Sequence, residues 1–114
     1  LDKDKALLIT AAVPPEKGFH FFNDWHMPTG ISANSIFDFL NALKKVDVKS
    51  LDFHLKRNDF VRWMREVIRD DVLASEFENL RDAGLAGEKI RDRLVRVTEK
   101  RCKELADAVK GLVP

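Results

Sequence analysis

Three histidines and the acids near them are the residues in this chain best suited to chemistry. His20, Asp24 and His26 lie on one short segment. Strand alternation puts all three on one side, where imidazole nitrogens and a carboxylate are natural metal ligands. A closed structural zinc site takes four ligands, usually with tighter Cys/His pairing, and this segment supplies three. The alternative is a solvated polar face opposite Phe19, Phe21 and Trp25. The expectation is therefore no resident metal and no other cofactor, with His20, Asp24 and His26 as the only candidate ligands.

His54 stands beside Leu51 and Leu55 on an apolar helix stripe. Imidazole titrates near neutrality, so His54 with Asp52 or Asp59 has the chemistry of a general base. No nucleophile is patterned beside it, because Ser32, Ser35, Ser50 and Ser75 all fit caps, turns or a solvent face. A core or boundary histidine with one nitrogen hydrogen-bonded is expected. The five glycines form no dinucleotide or phosphate-loop spacing. No catalytic residue is expected, and the chain reads as a non-enzyme.

In Arg57-Asn58-Asp59-Phe60, Asn58 or Asp59 is placed to cap a helix start, where the charge of Asp59 also suits the helix dipole. Arg57 then pairs with Asp59 or with Asp70. The competing reading has Arg57 and Arg62 holding an anion at that helix start; the cap is favoured. His54, Arg57, Asp59, Phe60 and Trp63 are thus expected to be structural. Trp63 is in register with the core face. Trp25, next to His26 and Met27, is the aromatic placed for partial exposure, but with no tyrosine in the chain no ready stacking platform is visible.

The last helix carries a basic stripe. Lys89, Arg93, Arg96, Lys100 and Lys103 recur at i, i+4, i+7, i+11 and i+14, and residues 89–103 hold seven basic and two acidic side chains. Such a ridge can follow phosphates or dock on an acidic partner. The plainer reading is a solvated flank whose long side chains shelter the core stripe beneath.

The elements that would position these groups read as follows. Residues 6–13 form a short β-leaning apolar run, broken by Pro14-Pro15 and Gly18. Residues 19–25 suit a strand, and Pro28, Gly30 and the polar stretch to Asn34 suit a loop. From Ser35, with Asp38 completing a short capping box, Ile36, Phe39, Leu40 and Leu43 mark an amphipathic helix. Ser50 is the expected cap of a helix over 51–56. Phe60, Trp63, Met64 and Val67 face one way on the next helix, with Arg62, Arg65, Glu66 and Arg69 opposite and pairing within it. Asp70-Asp71 cap a helix through Asp82 with Leu73, Phe77 and Leu80 inward. Gly84 and Gly87 form a turn, and a final helix runs over 88–110 with Ile90, Leu94, Val97, Cys102, Leu105 and Val109 inward. This predicts a mostly α fold: a compact bundle of about five helices preceded by a short extended or β segment. Residues 1–18 are expected to be an N-terminal extension with a Pro-Pro linker, and 19–114 a single helical domain.

Composition agrees with a soluble domain. The chain has 114 residues, 20 Lys+Arg against 19 Asp+Glu, and 45% apolar residues, so it can bury roughly two-thirds of its unfolded surface without staples. No apolar run reaches the ~18 residues that span a bilayer. Cys102 is the single cysteine, which excludes an internal disulfide framework and fits a cytoplasmic location. The start, Leu1-Asp-Lys-Asp-Lys5 and then an apolar run, has a loose signal-peptide look, against which stand its two aspartates and Pro14-Pro15. A chain without an initiator methionine is compatible with an excerpt of a longer protein.

One block is similar to a known family: Phe53-His54, Arg57, Asp59-Phe60, Trp63, Arg65-Glu66-Val67, Asp70-Asp71 and Leu73-Ala74, together with Thr29-Gly30 and the helix over 35–46. It resembles a family of uncharacterised domains found largely in archaea and some bacteria, sometimes beside carbohydrate-active domains. The resemblance covers residues 19–105 and implies a shared fold with no known activity. Where that family has Gly before Asp-Phe, this chain has Asn58, which also tolerates positive φ.

These readings converge on a binding or accessory module that mediates protein–protein or regulatory contacts. Its partner is a separate protein or a covalently linked neighbouring domain. Homodimerisation through Phe60, Val61, Trp63, Met64, Val67 and Ile68 is a further possibility. The first alternative is nucleic-acid or polyanion binding through Lys89, Arg93, Arg96, Lys100 and Lys103. The second is a metal-dependent enzyme using the histidines.

Overall fold

The computed structural model describes residues 1–111; the last three positions of the expected 19–114 domain lie outside the described residues. The described chain holds six α-helices, α1 (Lys3–Thr10), α2 (Ile36–Lys45), α3 (Val48–Lys56), α4 (Asp59–Trp63), α5 (Asp71–Asp82) and α6 (Glu88–Val109), with one antiparallel hairpin of β1 (Phe19–Asp24) and β2 (Met27–Ala33). The mostly α class holds. The helix count is six where about five were expected.

The extra helix is α1, in the run read as β-leaning. Asp2 caps it, its carboxylate accepting from the Lys5 N–H at 2.7 Å. Ala6, Leu7 and Leu8 are strong helix formers, and Ala6 and Ile9, three apart, fall on one buried face. Both belong to the same core cluster as the later helices. The expected boundary at residue 18 therefore does not coincide with a break in packing. Val13 N–H also donates to Asn34 O at 2.7 Å.

Residues 27–33 form a strand rather than a loop. The sheet has two strands, so both are edges and Pro28 needs no ladder donor. The register slips between His20 and Phe22 and again between Phe22 and Asp24. Gly30 takes φ 80° in the irregular stretch. Thr29 supports it: its hydroxyl donates to Phe21 O at 2.8 Å and accepts from Ile31 N–H at 3.0 Å.

α2 begins as read. Ser35 Oγ accepts from Asp38 N–H at 3.1 Å, and the Asp38 carboxylate reaches back to Asn34 N–H rather than to Ser35, at 3.4 Å. α3 starts earlier than expected because Asp47, not Ser50, is its cap. Ser50 is fully buried inside the helix, and its hydroxyl has no hydrogen-bond partner among the described residues. The two-faced helix expected after Asn58 is broken. α4 gives way to a π-helical turn over Met64–Ile68, closed by Arg69 at φ 66° and by Asp70 N–H donating to Met64 O at 2.9 Å. Of its arginines Arg62 pairs within the helix, with Asp59 at i,i+3, while Arg65 reaches out to Glu78 of α5 at 2.9 Å.

The core is aromatic at one end. Phe19 and Phe21 of β1, Phe39 of α2, Phe60 and Trp63 of α4 and Phe77 of α5 are all buried. Phe39 stacks on Trp63 at 5.3 Å and meets Phe60 edge-on at 5.3 Å, geometries worth about 0.5–1.5 kcal/mol per pair beyond area burial. Trp63 Nε1 donates to Lys17 O at 2.8 Å. Phe60, Val61, Trp63, Met64 and Ile68 are thus spent inside the chain's own core; of the proposed dimer stripe only Val67 is partly open. α5 and α6 follow the sequence reading, with Leu73, Phe77, Leu80, Ile90, Leu94, Cys102 and Leu105 buried. Val97 and Val109, expected inward, only flank the core, and Thr98, Arg101 and Ala108 are buried instead. No described helix is long and apolar enough to cross a membrane.

Candidate functional site

The hairpin packs against α3, and between the β1 end of the sheet and the α3–α4 joint lies a cleft of about 430 Å³. That volume falls within the range of small-molecule and side-chain pockets. Its floor is His54 and Asp59. Its walls are Phe22, Phe53, Trp25 and Arg57, and His20, Asp24 and His26 line its rim.

The floor is a closed hydrogen-bond network. His54 Nδ1 donates to Asp59 Oδ2 at 2.9 Å, and Nε2 accepts from the backbone N–H of Phe22 at 2.9 Å. The second bond fixes the neutral Nδ1–H tautomer, since an Nε2 proton would face another N–H. Burial pushes the imidazole below its ordinary value, outweighing the hydrogen bond and charge of Asp59, which act to raise it. Burial alone would raise the Asp59 carboxyl; the hydrogen bonds from His54 and Arg57, and the charge of Arg57, hold it below its usual range. Of the two residues the sequence offered as the α4 cap, Asp59 is therefore not it. Asn58, at φ 67°, occupies the cap position and its side-chain oxygen accepts from Arg81. Asn58 takes the positive φ that asparagine tolerates.

Asp59 instead gathers three donors: His54, Arg57 through Nε at 3.1 Å, and Arg62. Arg62 and the Nε edge of Arg57 are turned to this carboxylate. Both ring nitrogens of His54 are engaged, so no lone pair is left to take a proton from a substrate. His54, Arg57 and Asp59, which the sequence assigned to structural work, meet here in one hydrogen-bond network.

The walls make a feature the sequence reading missed. Trp25 and Phe53 meet almost perpendicularly, with centroids 6.0 Å apart and planes at 85°. The Arg57 guanidinium carbon lies 3.9 Å from the Trp25 centroid and 5.0 Å from that of Phe53. Contacts of this kind contribute about 0.5–1 kcal/mol at exposed sites. Trp25 remains 62% exposed and Met27 56%. Strict alternation would send Trp25 inward with Phe19 and Phe21. The strand ends at Asp24, and the turn at Trp25 and His26, with His26 at φ 59°, sends it outward. The available signal was Arg57 and Phe53 four apart on one helix face, with Trp25 at a turn.

His20, Asp24 and His26 share the rim but do not converge. Among the described residues no three His, Cys, Asp or Glu side chains gather closely enough to hold a metal ion. The bulges and the turn break the alternation that would have aligned them.

All five stripe residues, Lys89, Arg93, Arg96, Lys100 and Lys103, are exposed. Arg96 pairs with Asp92 at 3.2 Å and Lys103 with Asp107 at 3.1 Å. The neighbouring Arg101 behaves differently: it is buried and bonds both oxygens of Asp70, at 2.8 and 3.0 Å. Asp70 was the alternative partner for Arg57; it belongs to Arg101. The adjacent Cys102 thiol is buried, and desolvation, then the charges of Asp70 and Glu99, push its pKa up to about 11, so it is a poor nucleophile.

Fold and site together define a small mostly α domain with a hairpin-roofed aromatic cleft. The chain matches no protein-family model, and neither a curated protein nor a solved structure is significantly similar to it.

Proposed function

We propose that this chain is a non-catalytic binding module that engages a protein partner through the hairpin-tip cleft. The observation that carries this reading is two large apolar side chains, Trp25 and Met27, held exposed at a turn beside a largely apolar cleft. Such grouped exposure marks an interaction surface more often than chance exposure does. The engaged state of His54 supports binding over catalysis. A photoreactive amino acid at position 27 should cross-link one predominant protein in cells, and Trp25→Ala should remove that product. A diffuse set of products unchanged by Trp25→Ala would refute the reading.

The second reading is polyanion binding by α6. It is favoured by Lys89, Arg93 and Lys100, which are exposed and have no ion-pair partner among the described residues. Labelled RNA or DNA should then bind at low salt and dissociate steeply between about 50 and 200 mM salt. Arg93→Glu with Arg96→Glu should abolish binding without unfolding the chain. No binding at low salt removes this reading.

A further inference from the structure

The cleft holds one cation whose hydrogen-bonding edge is not used. Arg57 is fixed at one side by its Nε bond to Asp59 and across its face by Trp25 and Phe53. Its two terminal nitrogens donate to no partner among the described residues, and its side chain is about one-third exposed at the cleft wall. A guanidinium held this way has lost most of its rotamer freedom before any ligand arrives. Its fork matches a carboxylate.

The two carboxylates of the cleft do not cancel this edge equally. Asp59 is saturated by His54, Arg57 and Arg62. Asp24 stands on the rim and accepts from the backbone N–H of Trp25 at 2.7 Å. His20 and His26 add further N–H donors there. The surroundings of Arg57 are aromatic, so a ligand needs an apolar body as well as an anionic group.

We infer that the cleft recognises a peptide segment in which a carboxylate lies next to an aromatic side chain, the carboxylate seated on Arg57 and the ring against Trp25 and Phe53. This deepens the protein-binding reading above and rests on it. It also assigns a role to the stacking: Trp25 and Phe53 both contact the ligand and hold its anchor.

The test uses acetyl-Ala-Phe-Glu-Ala-amide and its Gln and Lys counterparts, titrated into ¹⁵N-labelled protein. The chain has two tryptophans, so two indole N–H signals report. Trp63 is buried and bonded to Lys17 O, and serves as the internal reference for folding. The Glu peptide should shift the Trp25 signal saturably and leave that of Trp63 in place. The Gln peptide should bind at least tenfold more weakly, and the Lys peptide more weakly still. Arg57→Gln should erase the difference between Glu and Gln peptides. Arg62→Gln, which also removes an Asp59 contact but does not line the cleft, should preserve it.

Equal binding of Glu and Gln peptides overturns the inference. So does preference for Lys, which would show a cation displacing Arg57 from the aromatic corner, and so does absence of any Trp25 shift with the Glu peptide. If cross-linking from position 27 still yields a Trp25-dependent partner, only the carboxylate rule has failed. If no such partner exists, the protein-binding reading has failed with it.

Discussion

Arg101→Met is expected to destabilise the chain by about 3–5 kcal/mol, the cost of leaving one member of a buried ion pair behind. At roughly 4 °C per kcal/mol for a domain of this size, the melting temperature should fall by about 12–20 °C. The geometry places the pair in this class. The Asp70 side chain is 1% exposed and that of Arg101 10%, and two parallel N–H···O bonds join them. Methionine fills much of the arginine volume, so the loss measures the unpaired carboxylate more than a cavity. Asp70 would keep only the bond it accepts from Leu73 N–H, at 3.3 Å. The double variant Arg101→Met, Asp70→Ser should recover part of the loss, because serine retains the α5 cap without the charge. Moderate salt should change none of these differences, since a buried pair is poorly screened. Calorimetry of the single variant decides the matter: a melting temperature within a few degrees of the parent would show the pair to be energetically neutral.

This ion pair also shows where sequence reading stops. The periodicity of α2, α5 and α6 was visible because each buries a wide apolar stripe against the others, and burial writes itself as a 3.6-residue repeat. Asp70 was legible as a cap. Its second role was not, because Arg101 lies 31 positions away and a charged residue one step off a basic stripe looks like part of that stripe. Ser50 misled for a related reason: a serine before an apolar run resembles a cap, yet Asp47 three residues earlier took the position. The hairpin was half legible. β1 has the aromatic content of a strand, while β2, with Pro28 and Gly30, carries loop residues that a two-stranded edge sheet tolerates. At the site, His54 and Asp59 could be paired by spacing, but the Phe22 N–H that completes the network is a backbone group from another element. The aromatic corner required the turn at His26, whose positive φ leaves no mark in a histidine. The spacing of the basic stripe was legible, but not whether it is solvated or folded into ion pairs; its five side chains are exposed and two of them are paired.

Below pH 6.5 the chain should lose stability through His54, in a window above the one in which Asp59 acts. The folded imidazole is held below the ordinary value of 6.5, by burial against the opposing pull of Asp59. Between the two values the unfolded chain binds a proton that the folded chain does not, so stability rises with pH in that window and falls as pH drops. The loss begins near 6.5, is complete once pH passes below the folded value, and amounts to about 1.4 kcal/mol for each pH unit separating the two. Above 6.5 the residue is neutral in both states and contributes no slope. Asp59 acts in a separate window: its folded pKa is depressed from 3.8, so its contribution is present above that value and disappears only as pH falls through the lower one. Urea unfolding at pH 7.5 and pH 5 isolates the histidine. His54→Gln should be less stable than the parent at pH 7.5, by about 1–3 kcal/mol if the Phe22 N–H loses its acceptor. Its stability should change less between pH 7.5 and 5 than the parent's. A parent whose stability rises on going from pH 7.5 to 5 would mean that Asp59 wins over burial and that His54 is charged in the fold. The Phe22 N–H could then not donate to it, and the floor of the cleft would have to be rebuilt around an imidazolium.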